Sequence, residues 1–223
     1  MKLSHPQLLS FDTIDREKTL RKIEAAAKNC YQSQCKENIE DTAKFVRGLV
    51  KSGHLSPIEL GGMFNVTIKT SRNVLAELTR HRLASFCVLS QRYCKYDQGV
   101  EYIIPTHLRN IIPEGEWEDP FFEIIPSFIN DSGAFEFLLS LGQAEITYQI
   151  LRKEENWRAE DAREVLPGAT STIITMGANL REWKHIFDLR IKGTTGKPYG
   201  PCKETMQLVY NEFAKALPEI FEE

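Results

Sequence analysis

The 223-residue sequence predicts an α+β fold, with long helices beside a modest mixed or antiparallel sheet, in a single domain spanning 1–223. Three observations predict it. Apolar residues recur at helical spacing over long stretches, as in Leu20, Ile23, Ala27 and Cys30. Elsewhere the period falls to two, with Phe64, Val66 and Ile68 alternating against Asn65, Thr67 and Lys69. A β-branched run, Thr170 to Thr175, supplies a second strand signal.

Taken in order, Asp15 to Cys30 is predicted helical, and Glu37 to Ser52 is a second helix, with Ile39, Ala43, Val46, Leu49 and Val50 on one stripe and Gly53 as its stop. Gly61 to Thr70 is a half-buried strand. Ser71 can cap a helix through Val74, Leu75 and Leu78 that runs into Arg80-His81-Arg82. Ser85 to Tyr96 is extended or irregular, Glu101 to Ile104 a short strand, and Pro105 to Pro120 a loop. Phe121 to Glu155 is mostly helical, with Gly133 and Gly142 as expected interruptions, and Asp161 to Leu166 is helical up to Pro167. Asn179 caps a helix through Ile191, Gly193 to Pro201 is a loop, and Lys203 to Ala216 is a last amphipathic helix.

Composition narrows the function. Net charge is −3, and no block of Lys and Arg suggests attraction to DNA or RNA, so no nucleic-acid partner is expected. Five cysteines, without a CxxC pair or a His/Cys spacing typical of zinc, predict no metal site and packed thiols in a reducing compartment. The N-terminus lacks a long apolar core and no stretch suits a bilayer, so the expectation is a cytoplasmic protein without membrane contact.

Against that mildly acidic background, the segment RHRLASFCVLSQRY concentrates Arg80, His81, Arg82, Ser85, Ser90, Arg92 and Tyr93. Clustered guanidiniums hold phosphate through charge-assisted, often bidentate hydrogen bonds, so a phosphorylated small molecule is the expected ligand. Arg80 and Arg82, two residues apart, cannot grip one group from one helical face. In an extended segment Ser90 and Arg92 share a face and form a phosphate clamp. Either arginine of the first pair, alone, suits the basic end of a helix; His81, Tyr93, Cys87 and Cys94, each alone, suit structural roles.

Arg80-His81-Arg82, seven residues, then Ser90 and Gln91-Arg92-Tyr93 resemble the signature of the flavin-dependent thymidylate synthases. Three further segments agree in order and spacing: His54-Leu55-Ser56-Pro57-Ile58-Glu59, Arg163-Glu164-Val165-Leu166-Pro167, and Asn179-Leu180-Arg181-Glu182-Trp183-Lys184-His185 continuing to Leu189-Arg190. The resemblance implies methylation of dUMP to dTMP, with methylenetetrahydrofolate as carbon donor, NADPH as reductant and FAD as cofactor, in a homotetramer with shared active sites. It implies that Arg80, Ser90, Arg92 and Arg163 hold the nucleotide, with Glu77, Val88, Leu89 and Gln91 beside them. Ser56, His81, Arg82, Asn179, Arg181 and His185 are implied as flavin contacts, and Arg80 and Val88 border the flavin too. Arg190 is implied as the catalytic cation at the uracil ring. For Arg163 the plainer alternative is a surface helix residue, and for Asn179 an ordinary N-cap.

On a regular helix Arg181 and His185 share a face while Arg190 lies about 180° away, which places different ligands on opposite sides. Leu180, Ile186, Phe187, Leu189 and Ile191 predict a helix buried nearly all round, between subunits. The sequence also departs from the family: Glu77 stands where glutamine is usual, Val88 where Glu or Gln is common, and Leu60 where histidine is usual. The loop from Lys192 to Pro201 replaces a shorter segment containing histidine, and an N-terminal helix stands where a strand pair is expected. Glu77 motivates an alternative substrate, dCMP or another pyrimidine nucleotide, with a hydroxymethyl product. A non-catalytic nucleotide-binding relative is the alternative from outside enzymology.

Overall fold

The fold is described from a computed structural model covering residues 1–30, 32–117 and 129–222. In chain order the elements are β1 (Lys2–Ser4), β2 (Gln7–Phe11), α1 (Arg16–Asn29), α2 (Ile39–Lys51), β3 (Met63–Ser71), α3 (Arg72–Leu78), β4 (Ser85–Val88), β5 (Glu101–Ile103), β6 (Gly115–Glu116), α4 (Ser132–Lys153), α5 (Ala159–Ala162), β7 (Ser171–Asn179), α6 (Leu180–Phe187), α7 (Gly200–Ala216) and α8 (Pro218–Phe221). Short 3-10 turns lie at Ser56–Gly61, Thr106–Leu108 and Arg163–Val165, and α6 runs into a π turn at Asp188–Lys192. This is the α+β class that the periodicities predict.

The helices start where their caps dictate. Asp15, Asn38, Asp131 and Asn179 each accept a backbone N–H of the following first turn, from Lys18, Glu40, Ala134 and Glu182 at 2.7–3.0 Å. Three expectations fail. Gly115–Glu116, inside the stretch 105–120 expected to be a loop, forms β6 against β1. The pair β1 and β2 precedes α1, in stretches of three and five residues, too short to register as strands. Gly133 and Gly142 do not interrupt α4, because Asp131 fixes its start and Gly142 is buried in a continuous helix; the first part of the expected helix, 121–128, lies outside the described residues.

The chain divides into two compact units. Unit 1 comprises Met1–Gln7, Lys69–Leu78 and Val88–Ile174. Its three-stranded mixed sheet has the order β5-β1-β6, with Leu3 opposite Tyr102 in the parallel pair and opposite Gly115 in the antiparallel one. One face of α4 closes this core through Ala134, Leu138 and Leu141 against Leu3, Val100, Tyr102 and Ile104. The Tyr102 hydroxyl donates to the Leu141 carbonyl at 3.2 Å, and burial pushes its pKa up.

Unit 2 comprises Leu8–Ile68, Thr79–Cys87 and Thr175–Glu223. It holds Leu8–Phe11 of β2, Met63–Ile68 of β3, Thr175–Asn179 of β7 and Ser85–Cys87 of β4, from a four-stranded sheet of order β2-β3-β7-β4. Trp183 and Phe187 of α6 pack on Phe213 of α7 with ring centroids 5.1 and 5.7 Å away, and Phe221 of α8 joins them at 5.7 Å from Phe187. The Trp183 indole N–H is satisfied by the Phe64 carbonyl at 3.1 Å. α6 therefore buries its apolar face in this chain's own aromatic core, and Arg181 and His185 are exposed in the single chain. Gly61 permits this packing: a Cβ there would lie 2.7 Å from Leu180 Cδ1 and 2.9 Å from Ile23 Cδ1.

Among the described residues no helix is long and apolar enough to cross a membrane. Cys30, Cys35, Cys87 and Cys94 are exposed, unlike the packed thiols expected, and Cys202 is buried.

Candidate active site

Unit 2 contains a cavity of about 650 Å³ bordered by three chain segments: Leu55 and Glu59, Arg80 to Leu83, and α6 with its π turn. The Asn179 cap sets the start of α6, and Arg181 and His185 follow on one exposed face. The π turn then rotates less per residue than a regular helix, and Gly193, at φ +73°, ends it with its N–H on the Asp188 carbonyl. Arg190 consequently lines the same cavity as Arg181 and His185, which corrects the expectation of opposite sides.

The floor of the site is a chain of two buried groups and the half-buried Arg190. The Arg190 Nε–H donates to His81 Nε2 at 3.0 Å, and His81 Nδ1 faces Glu182 Oε1 at 3.4 Å. His81 and Glu182 are 4% and 5% exposed, so little solvent screens them. Burial, reinforced by the Arg190 charge and by His185, lowers the His81 pKa to about 4. The imidazole is therefore neutral, and its contact with Glu182 is not an ion pair. Burial also raises the Glu182 pKa, opposed by His185 and Arg181. The His81 and His185 rings meet edge to face at 6.0 Å.

Above this floor lies an excess of positive charge. Arg80, Arg82, Arg181, Lys184 and Arg190 line the cavity against Glu59, Glu182 and Asp188. Arg181 pairs with Glu59 at 2.9 Å, and Asp188 is flanked by Lys184 at 3.8 Å and Lys192 at 3.3 Å. Arg80 and Arg82 are exposed, and among the described residues no acid pairs with either. Two permanently charged forks are thus presented to solvent at the cavity edge, an arrangement suited to phosphate oxygens.

Of the sequence-derived site residues, Arg80, His81, Arg82, Asn179, Arg181, His185 and Arg190 come together here. Ser56 opens the neighbouring 3-10 turn, exposed and outside the cavity lining. Glu59, Glu182, Lys184 and Asp188 line the cavity and were not singled out from the sequence. Their signal was present only as proximity: Glu59 ends the matched His54–Glu59 segment and the others fall inside the α6 motif.

The remaining candidates lie in unit 1. Ser90 and Arg92 do not share an extended face. The chain turns at Ser90, whose Oγ accepts the Arg92 N–H at 3.2 Å and whose carbonyl accepts the Cys94 N–H at 2.9 Å. The Arg92 guanidinium donates to Glu160 at 2.6 Å and lies 5.4 Å over the Tyr93 ring, which is exposed. Gln91 is buried. Val88 ends β4, and Leu89 is fixed by its N–H to the Ile173 carbonyl at 2.8 Å and by Arg72 on its own carbonyl at 2.9 Å. Glu77 is half-buried near the end of α3, and Arg163 is half-buried with Glu164 at 3.7 Å.

Comparison with known proteins adds lineage to this geometry. Residues 12–219 match the family model described as thymidylate synthase complementing protein. A flavin-dependent thymidylate synthase of Mycolicibacterium vanbaalenii is 34% identical over 176 residues, 75% of this chain and 66% of that protein. One from Clostridium tetani is 34% identical over 173 residues, 74% of this chain and 67% of that protein. The chain thus spans about two thirds of the length of such relatives, 66% of the first. Among solved structures, the UMP/dUMP methylase PolB of Streptomyces cacaoi, bound with 5-Br UMP, aligns at a TM-score of 0.73 and 21% identity over 100% of this chain and 95% of its own. Thymidylate synthase X of Helicobacter pylori, with FAD and dUMP, aligns at 0.66 and 19% over 98% and 97%. At those identities the structural likeness speaks for the fold.

Proposed function

The chain belongs to the flavin-dependent thymidylate synthase family, and on that premise we propose that it converts dUMP to dTMP. The carbon would come from methylenetetrahydrofolate and the reducing equivalents from NADPH through FAD, in the cytoplasm. The observation that supports this reading best is the cationic cavity of unit 2, with two exposed arginines above a neutral, buried His81.

The cavity's donors fit a flavin dinucleotide. Its pyrophosphate is a dianion, and the lining offers five basic against three acidic side chains. Arg80, His81, Arg82, Asn179, Arg181 and His185 would hold it, with Ser56 and Val88 as further contacts. A bound flavin supplies redox chemistry that these side chains lack. The nucleotide would be held by Arg80, Ser90, Arg92 and Arg163, with Glu77, Val88, Leu89 and Gln91 against it. The assembly we propose is a homotetramer whose active sites are shared between protomers.

Arg190 is the catalytic residue in this reading. A guanidinium set against the uracil N3–O4 edge stabilises the negative charge that builds as C5 becomes nucleophilic. Because His81 accepts from Arg190 without itself being charged, the full positive charge remains on the guanidinium. Ser90 positions substrate: a serine nucleophile requires an adjacent base, and its Oγ instead accepts the Arg92 N–H.

Glu77, a half-buried carboxylate, favours a second reading, in which a cytosine N4 amino group donates where a uracil O4 would be repelled and the product carries a hydroxymethyl group. One experiment separates the two. The purified protein is supplied with FAD, NADPH, methylenetetrahydrofolate and either dUMP or dCMP, and products are weighed by mass spectrometry. A methyl gain on dUMP alone is expected. A dCMP product with dUMP unchanged would replace the first reading by the second, and no product from either would overturn both.

A further inference from the structure

We infer that Glu182 is a positioning residue that aims Arg190 by fixing the tautomer of His81. The inference deepens the proposed function, because it rests on Arg190 being the activating cation.

Donor and acceptor capacity fixes the tautomer. The Arg190 Nε carries a hydrogen and no lone pair to offer, so it can only donate. His81 Nε2, 3.0 Å away, must therefore be the bare, accepting nitrogen. A neutral imidazole carries one N–H, and with Nε2 bare it resides on Nδ1. Nδ1 is the nitrogen that faces Glu182 Oε1 at 3.4 Å. An oxygen acceptor at that point favours the Nδ1–H tautomer whether the Glu182 carboxyl is ionised or protonated, since either state retains an accepting oxygen. Remove the acceptor, and the imidazole is free to carry its hydrogen on Nε2. Two N–H groups would then face each other, and the guanidinium would be driven from its place.

The surroundings favour this role over incidental packing. Glu182 is buried on the inner side of α6, while the adjacent Arg181 turns outward to Glu59. Its backbone N–H is already held by the Asn179 side chain, which fixes the first turn from which the side chain departs. The cavity that Arg190 and His81 line is also lined by Glu182, so any movement of the carboxylate is felt at the site. The glutamate between Arg181 and Trp183 in sequence thus acts on Arg190 through His81, which the α6 motif by itself does not reveal.

The test uses two variants and two readouts. Glu182→Gln keeps an oxygen acceptor in nearly the same volume; Glu182→Ala removes it. With ¹⁵N-labelled histidine, imidazole ¹⁵N shifts report which nitrogen of each ring carries hydrogen, and a His81→Gln variant identifies the His81 signals among the five histidines. The wild-type and Gln proteins are expected to show Nδ1–H at His81, and the Ala protein a substantial Nε2–H population. In dUMP turnover, kcat is expected to fall by roughly 100-fold in Ala with a much smaller change in KM, and to recover to within about fivefold in Gln. An Nε2–H tautomer in the wild type, an unchanged tautomer in Ala, or an Ala variant with wild-type kcat would each overturn the inference. The tautomer readout needs no substrate, so a protein inactive on dUMP whose tautomer still follows Glu182 would uphold the hydrogen-bond role and reject the proposed reaction instead.

Discussion

Arg190 and His81, more than a hundred residues apart in the chain, meet through a hydrogen bond of 3.0 Å from the guanidinium Nε–H to the imidazole Nε2. A permanent cation thus rests on a buried neutral ring, and that ring loses the bond if it gains a proton.

Acid should therefore weaken unit 2. His81 has a folded pKa of about 4 against an ordinary value of 6.5. A histidine whose folded pKa is depressed contributes stability above its unfolded pKa, and that contribution is lost as pH falls from 6.5 toward 4, to a total of about 3 kcal/mol. Urea midpoints measured from pH 7 to pH 4 should fall, and His81→Gln should show a shallower fall over the same range. Parallel slopes in the two proteins would assign the acid sensitivity elsewhere.

Removing the cation should separate chemistry from binding. Arg190→Ala is expected to lower turnover of dUMP by at least about 100-fold while the protein still takes up FAD, followed by flavin absorbance, because a missing transition-state cation costs on that order. Full activity in the variant would show that another group activates the ring.

Glu59 and Arg181 form a largely solvent-exposed pair at 2.9 Å. Such pairs contribute little, so Glu59→Gln should change the unfolding free energy by less than about 1 kcal/mol. It should also remove a negative charge from the cavity edge and tighten FAD binding several-fold, with the gain shrinking as salt is added. Weaker binding would mean that Glu59 serves the ligand rather than restraining Arg181.

Gly61 should tolerate no side chain. Its Cβ would crowd Leu180 at 2.7 Å and Ile23 at 2.9 Å, so Gly61→Ala is expected to cost about 1–3 kcal/mol by overpacking, read from a denaturant curve. A neutral substitution would mean that both side-chain ends swing aside freely.

These relationships were unequally legible in the sequence. α1, α2, β3 and the start of α6 follow from periodicity and from Asp15, Asn38 and Asn179, because caps and apolar stripes act locally. The pair β1 and β2 escaped because three and five residues are too few to show a period. The π turn escaped because Asp188–Lys192 continues a helical pattern, and its smaller rotation per residue, which returns Arg190 to the cavity, has no compositional mark. The motif did carry the set Arg80, His81, Arg82, Asn179, Arg181, His185 and Arg190 into one place. It was silent on Glu182, whose importance is a distance to His81 rather than a residue type. The shared extended face expected of Ser90 and Arg92 is absent because a hydroxyl can close a local turn on the backbone, which an extended-strand spacing cannot foresee.

The central claim is that the cavity beneath Arg80 and beside α6 receives the flavin, and FAD titration followed by fluorescence quenching tests it most directly. Arg181 and His185 are both exposed, so replacing the two with alanine leaves the core intact. The wild type should bind FAD, and the double variant should bind it at least tenfold more weakly. Equal dissociation constants in the two proteins, or no quenching by the wild type, would contradict the claim.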